Sequence, residues 1–157
     1  MMRIVATGTF DIIHPGHIRF LKEAKKIGDE LIVIVAREQN VRHKPKPIIP
    51  EEQRRKVIES LKYVDKAVLG DLEDMFRPII ELQPDIIALG HDQHFNEQKL
   101  IEGLRKRGLN TKVVRIEAEE ECEYCSSTRI IKKIADVAHK RVKEYEKRRE
   151  KVKEIQL

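Results

Sequence analysis

Five short apolar runs punctuate this chain, and the stretches between them carry apolar residues at helical spacing. The runs are RIVATG from Arg3, LIVIVA from Leu31, KAVLG from Lys66, DIIALG from Asp85 and KVVRI from Lys112. Short and rich in Ile and Val, each reads as a strand covered on both faces. Between the first two, Ile18, Leu21, Ala24 and Ile27 recur at helical spacing and Gly28 supplies a stop. Further helices are expected in PEEQRRKVIESL, entered through Pro50, in LEDMFRPIIEL, with Pro78 as an interruption, and in NEQKLIEGLRKRG, with a last helix from about Ser127. Strands alternating with helices make a parallel sheet clothed on both sides. The expected fold class is therefore α/β: a Rossmann-like, doubly wound, five-stranded parallel sheet with a C-terminal helical extension. Ligands of such sheets bind at the carboxyl ends of the strands, near the switch point.

A chain of 157 residues, 40% of them hydrophobic, encloses one core. That core is assigned to residues 1–138. Residues 139–157, HKRVKEYEKRREKVKEIQL, hold Val142, Tyr145, Val152 and Ile155 thinly spread among charges. They read as a solvated helix that packs on the domain or a partner subunit, with a disordered tail or a nucleic-acid contact as alternatives. Much of the net charge of +5 lies there, and it suits an anionic ligand and nucleic acid equally well. No apolar run approaches the roughly 18 residues that a bilayer requires, and no cleavable leader opens the chain, so a cytoplasmic location is expected. Cys122 and Cys125 are too few for a secreted disulfide framework. As a lone CxxC they form half of a structural zinc site, which His91, His94 or a second subunit would have to complete; structural thiols and a redox-sensitive pair stay open beside it.

The stretch GTFDIIHPGH, Gly8 to His17, falls at the first turn from strand to helix. Backbone N–H groups and the dipole at a helix start attract phosphate, Pro15 suits the first helical turn, and Gly8 and Gly16 leave room for a ligand. His14 and His17, three residues apart, project on one side of the helix. Two imidazole donors there can meet the charge that develops during phosphoryl or nucleotidyl transfer. Capped surface histidines and a shared zinc ion are the plainer alternatives.

The ten residues resemble the GTFD and HxGH signatures of the cytidylyltransferase-like nucleotidyltransferases, matched by Gly8, Thr9, Phe10, Asp11, His14, Gly16 and His17. SSTRII, from Ser126, resembles the family's late signature at the start of the last core helix. Ser126 or Ser127 would cap that helix, Thr128 would donate to a phosphate, and Arg129 would offer a planar fork to the triphosphate. Within the family, LIVIVAR, KPIIPEEQRRKVIESL, PDIIALGHDQHF and CSSTRII are most similar to the archaeal FAD synthases, which join FMN to the adenylyl group of ATP.

That resemblance implies catalytic roles for His14, His17, Lys44 and Arg129, with Lys46 as the rival of Lys44. It implies nucleotide binding by Gly8, Thr9, Phe10, Asp11, Gly16, Arg54, Gly90, Asp92, Ser126, Ser127 and Thr128, with Arg55 as the rival of Arg54. His91 and Gln93 would face the acceptor, and Asp11 would orient a histidine or a divalent metal, Mg²⁺. The implied partners are ATP and FMN, and a second copy in a homodimer. Glycerol-phosphate cytidylyltransferase and pantetheine-phosphate adenylyltransferase keep the chemistry and change the substrates, although EEECEY lacks the arginine that precedes the late motif in the first of these. A non-catalytic nucleic-acid-binding module is the rival of another class. It has no need of both phosphate motifs, and with 4% aromatic residues the chain offers few stacking platforms.

Overall fold

The computed structural model describes residues 1–156. Its strands are β1 (Arg3–Gly8), β2 (Glu30–Val35), β3 (Lys66–Leu69), β4 (Ile86–Gly90) and β5 (Lys112–Ile116). Its helices are α1 (Pro15–Lys26), α2 (Glu51–Glu59), α3 (Arg77–Leu82), α4 (Glu97–Arg105) and α5 (Ser127–Gln156). All strand pairs are parallel, in the order β3-β2-β1-β4-β5. The chain winds outward from β1 to β3 and then resumes on the other side of β1. The switch point therefore lies between β1 and β4, which end in Gly8 and Gly90.

Side chains alternate across each strand, so every run feeds two cores. Ile4, Ala6, Leu31 and Val33 pack with Leu21 and Ala24 of α1 and Ile58 of α2 on one face. Val5, Ile32, Ile87 and Leu89 pack with Ile79 of α3 and Leu100 and Leu104 of α4 on the other. The β3 edge is sealed rather than open: Glu59 accepts the Ala67 N–H at 3.1 Å, and Arg55 donates to the Ala67 carbonyl at 3.3 Å. Arg55 is also paired with Glu52 and Glu59, which ties it to this edge and away from the nucleotide role for which it rivalled Arg54.

One element differs from expectation. LEDMFRPIIEL yields a helix only from Arg77, because Asp71 captures the N–H groups of Glu73 and Asp74, and Asp74 captures that of Phe76. These local bonds compete with helical ones. α5 runs unbroken from Ser127 across residue 138 to Gln156. Among the described residues no helix is long and apolar enough to cross a membrane.

Candidate active site

The turn from β1 into α1 is built around close approaches. Phe10 sits at φ 52° and is buried, its ring lying over Gly8, where a Cβ would come within 2.6 Å of it. The ring meets His17 edge-on at 5.4 Å. His14 is the N-cap of α1: its Nδ1 accepts the Gly16 N–H at 3.1 Å, while His17 Nδ1 accepts the His14 N–H at 3.3 Å. The two rings stack with centroids 3.7 Å apart, and a Cβ on Gly16 would lie 2.8 Å from the His14 ring.

This reciprocal cap decides the tautomers. Each Nδ1 is an acceptor, so the neutral rings carry their protons on Nε2 and keep those N–H groups as donors. Burial lowers the pKa of both rings, that of His17 to about 3, with the neighbouring His14 adding to the effect and Asp92 opposing it. The pair is neutral at pH 7. An unfolded histidine takes up a proton near pH 6.5, whereas the folded His17 refuses it until about pH 3, so stability falls as the pH drops through that interval. Urea midpoints should fall between pH 7 and pH 5, a window above most carboxylate titrations, and His17→Asn should flatten the fall. An unchanged slope in that variant would show that the ring is not held neutral.

The loop from β2 to α2 is pinned to this turn from two sides. Asp11 accepts the N–H groups of Ile48 and Ile49 at 3.0 and 2.8 Å. Arg54, only 1% exposed, donates to the carbonyls of Thr9 (2.6 Å), Ala36 (2.9 Å) and Ile49 (2.8 Å). Arg54 was expected on the nucleotide; in the structure these three carbonyls make it a strut between loops, while its buried Nη2 has no partner. Asp11 likewise serves as a latch, with each oxygen engaged by a backbone N–H. The two lysines divide: Lys46 is spent on the Glu38 and Gln39 carbonyls, whereas the charge of Lys44 acts on His17.

Across the switch point, Gln93 accepts the Gly90 N–H at 2.7 Å and donates to the carbonyl and hydroxyl of Thr7 at 2.9 and 3.2 Å. Its amide thereby joins β4 to β1. His91 stands 3.1 Å from Glu119, and the Asp92 carboxylate acts on both His14 and His17. Arg115 of β5 fixes the whole loop, donating to the carbonyls of Gly90, Gln93 and Phe95 and pairing with Glu97 at 2.7 Å. Sequence reasoning missed Arg115; the available signal was an arginine interrupting the apolar residues of β5. His43 and His94 meet edge-on at 6.0 Å, bringing the two loops together.

The start of α5 closes the fourth side. Ser126 Oγ accepts the Arg129 N–H at 3.4 Å, and Ser127 donates to the Ile12 carbonyl at 3.0 Å, so the second motif is fastened to the first. Thr128 and Arg129 are exposed, and Arg129 makes a single 3.4 Å bond to the Cys122 carbonyl. Cys122 and Cys125 are joined by a disulfide, in place of the free thiols or metal ligands considered from sequence. No cluster of three His, Cys, Asp or Glu side chains able to hold a metal occurs among the described residues. The result is a corner with two helix N-termini and two neutral Nε2–H donors, which the charge of Lys44 reaches at His17. Such a corner stabilises a phosphate whose charge is increasing.

Residues 5–133 match the family described as Cytidylyltransferase-like. The chain is 77% identical over 146 residues to the FAD synthase of Archaeoglobus profundus, spanning 93% of this chain and 94% of that one. It is 71% identical over 132 residues to the FAD synthase of Archaeoglobus fulgidus, spanning 84% of this chain and 96% of that one. Its structure resembles that of a lipopolysaccharide core biosynthesis protein from Thermoplasma volcanium, with 48% identity and a TM-score of 0.73 over 77% of this chain and 99% of that one.

Proposed function

The chain belongs to the cytidylyltransferase-like family, and from that membership we infer that it is an FAD synthase, transferring the adenylyl group of ATP to FMN with release of pyrophosphate. The observation that carries the chemistry is the stacked pair His14 and His17, held neutral with free Nε2–H donors at the switch point.

No activated side-chain nucleophile is needed, because the FMN phosphate is already anionic, its second pKa being about 6. One of its oxygens forms a bond to the α-phosphorus of ATP while the bond from that phosphorus to the bridging oxygen breaks, and the electron pair leaves with pyrophosphate. The protein's work is alignment and charge stabilisation. His14 and His17 donate to the oxygens that gain charge, Lys44 and Arg129 neutralise the departing phosphates, and Thr9 and the Phe10 backbone line the phosphate path. Arg54, Gln93 and Arg115 keep the three loops in register.

Mg²⁺ fits as a passenger of the triphosphate, since it usually takes one or two carboxylates plus substrate phosphates. Asp92, whose charge reaches both histidines, is the better carboxylate for it than Asp11, whose oxygens hold the loop. Its chemistry there is neutralisation of phosphate charge. The reading includes a cytoplasmic location, where ATP is supplied, and a homodimer.

The test is to incubate the protein and Mg²⁺ with ATP or CTP against FMN, glycerol 3-phosphate and phosphopantetheine, following pyrophosphate and product mass. FAD from ATP and FMN is expected; turnover of another acceptor with none of FMN would overturn the reading. In the same assay Lys44→Ala should lower kcat about 100-fold, the scale of one lost charge-stabilising group. Lys46→Ala, which loses only exposed carbonyl contacts, should stay within about 3-fold. Reversed effects would reassign the lysine.

A further inference from the structure

We propose that the loops after β2 and β4 together hold the isoalloxazine ring of FMN, with the imidazoles of His43 and His94 as its stacking surface and Ile48 and Phe95 as its apolar flanks. This rests on the FAD synthase reading above and adds the ring site to it. The charges of Lys44 and Asp92, on these same two loops, both act on His17. Beside them His43 and His94 meet edge-on, with centroids 6.0 Å apart and planes at 77°. Two rings at that angle make a corner, in which a flat ligand lies on the face of one and abuts the edge of the other. All four side chains are exposed, Ile48 at 62% and Phe95 at 37%. Exposed apolar residues gathered at a site suit a flat, largely apolar ring.

Few other surfaces of the chain offer a ring such a place. There are four Phe, three Tyr and no Trp. Phe10 is buried over Gly8, Phe20 and Tyr63 pack against one core, and Phe76 packs against the other. Tyr145 lies far along α5, and Tyr124 lies within the turn closed by the disulfide. Phe95 is the aromatic residue left on the two loops beside His17. The backbone that carries these side chains is fixed from behind. Asp11 holds the N–H groups of Ile48 and Ile49, and Arg115 holds the carbonyls of Gly90, Gln93 and Phe95. Side chains on a fixed backbone lose less freedom when a ligand binds. The same bonds decide which ring is taken. With those three carbonyls engaged and the Gly90 N–H bonded to Gln93, the loop after β4 offers side-chain faces rather than the backbone groups that read the edge of an adenine. Faces suit the larger tricyclic ring, whose ribityl chain then leads its phosphate toward His17.

Titration calorimetry with FMN, in the presence of α,β-methylene-ATP, reads this site without turnover. His94→Ala should weaken FMN binding about 10-fold, the scale of one lost stacking partner, and His94→Phe should return it to within about 3-fold because a flat face is restored. His43→Ala should weaken FMN in the same direction. In the steady state, His94→Ala should raise the KM for FMN in the same proportion while the KM for ATP stays within about 3-fold. Both side chains are exposed, so thermal melts should be unchanged. An FMN affinity indifferent to either alanine substitution would overturn the ring site, as would a rise confined to the KM for ATP, which assigns the loops to adenine. A loss that His94→Phe does not recover would overturn stacking. If the unaltered chain binds FMN through His94 yet makes no FAD, the ring site stands and the synthase reading falls. FAD formed with an affinity blind to these substitutions leaves the synthase reading and removes the site.

Discussion

Replacing His17 by alanine is expected to lower kcat about 100- to 1,000-fold, the loss typical of removing one preorganised donor to a developing oxyanion. The donor acts where charge grows, so kcat and kcat/KM should fall together while KM for ATP moves little. The fold should persist. His17 Nδ1 caps the His14 N–H, and losing such a cap costs about 1 kcal/mol. The stacked His14 ring also loses its neighbour, so a thermal shift of a few degrees is compatible with the assignment. Steady-state kinetics beside a thermal melt separates the two effects. A variant that keeps kcat within about 3-fold would remove His17 from the chemistry.

Arg54→Ala should cost about 3–5 kcal/mol of stability. The guanidinium is buried, and its removal strands the carbonyls of Thr9, Ala36 and Ile49 while opening a cavity beneath the phosphate turn. For a chain of this size the melting temperature should fall by about 10 °C. Arg54→Lys should recover little, since one ammonium lacks the planar fork that reaches three carbonyls at once. Urea denaturation monitored by circular dichroism measures the loss. A cost below about 1 kcal/mol, accompanied by a rise in KM for ATP, would return Arg54 to the nucleotide.

These two residues mark how far sequence reasoning reaches. His14 and His17 were legible because their relationship is local: three residues on one helix start, with Pro15 and Gly16 between them. The five strands were legible for a similar reason, since a parallel strand covered on both faces is an unbroken apolar run whatever lies around it. The shortened α3 was harder to see, because Asp71 and Asp74 compete for N–H groups that the apolar spacing assigns to a helix. Arg54 and Arg55 are indistinguishable as adjacent letters. One faces a buried junction of three loops and the other seals the β3 edge. Lys44 and Lys46 differ only in which carbonyls lie within reach, and CEYC is compatible with thiols, a metal or the disulfide that forms.

The amino-acid sequence alone determined the α/β order of elements and the tight turn from β1 to α1 with its paired histidines, because periodicity, caps and glycine placement act over a few residues. The tertiary structure alone decided that Arg54, Gln93 and Arg115 brace the loops, that Lys46 is bonded to the Glu38 and Gln39 carbonyls, and that burial holds both imidazoles neutral. Those outcomes depend on burial and on which distant carbonyls need a donor, and neither exists until separate segments of the chain have come together.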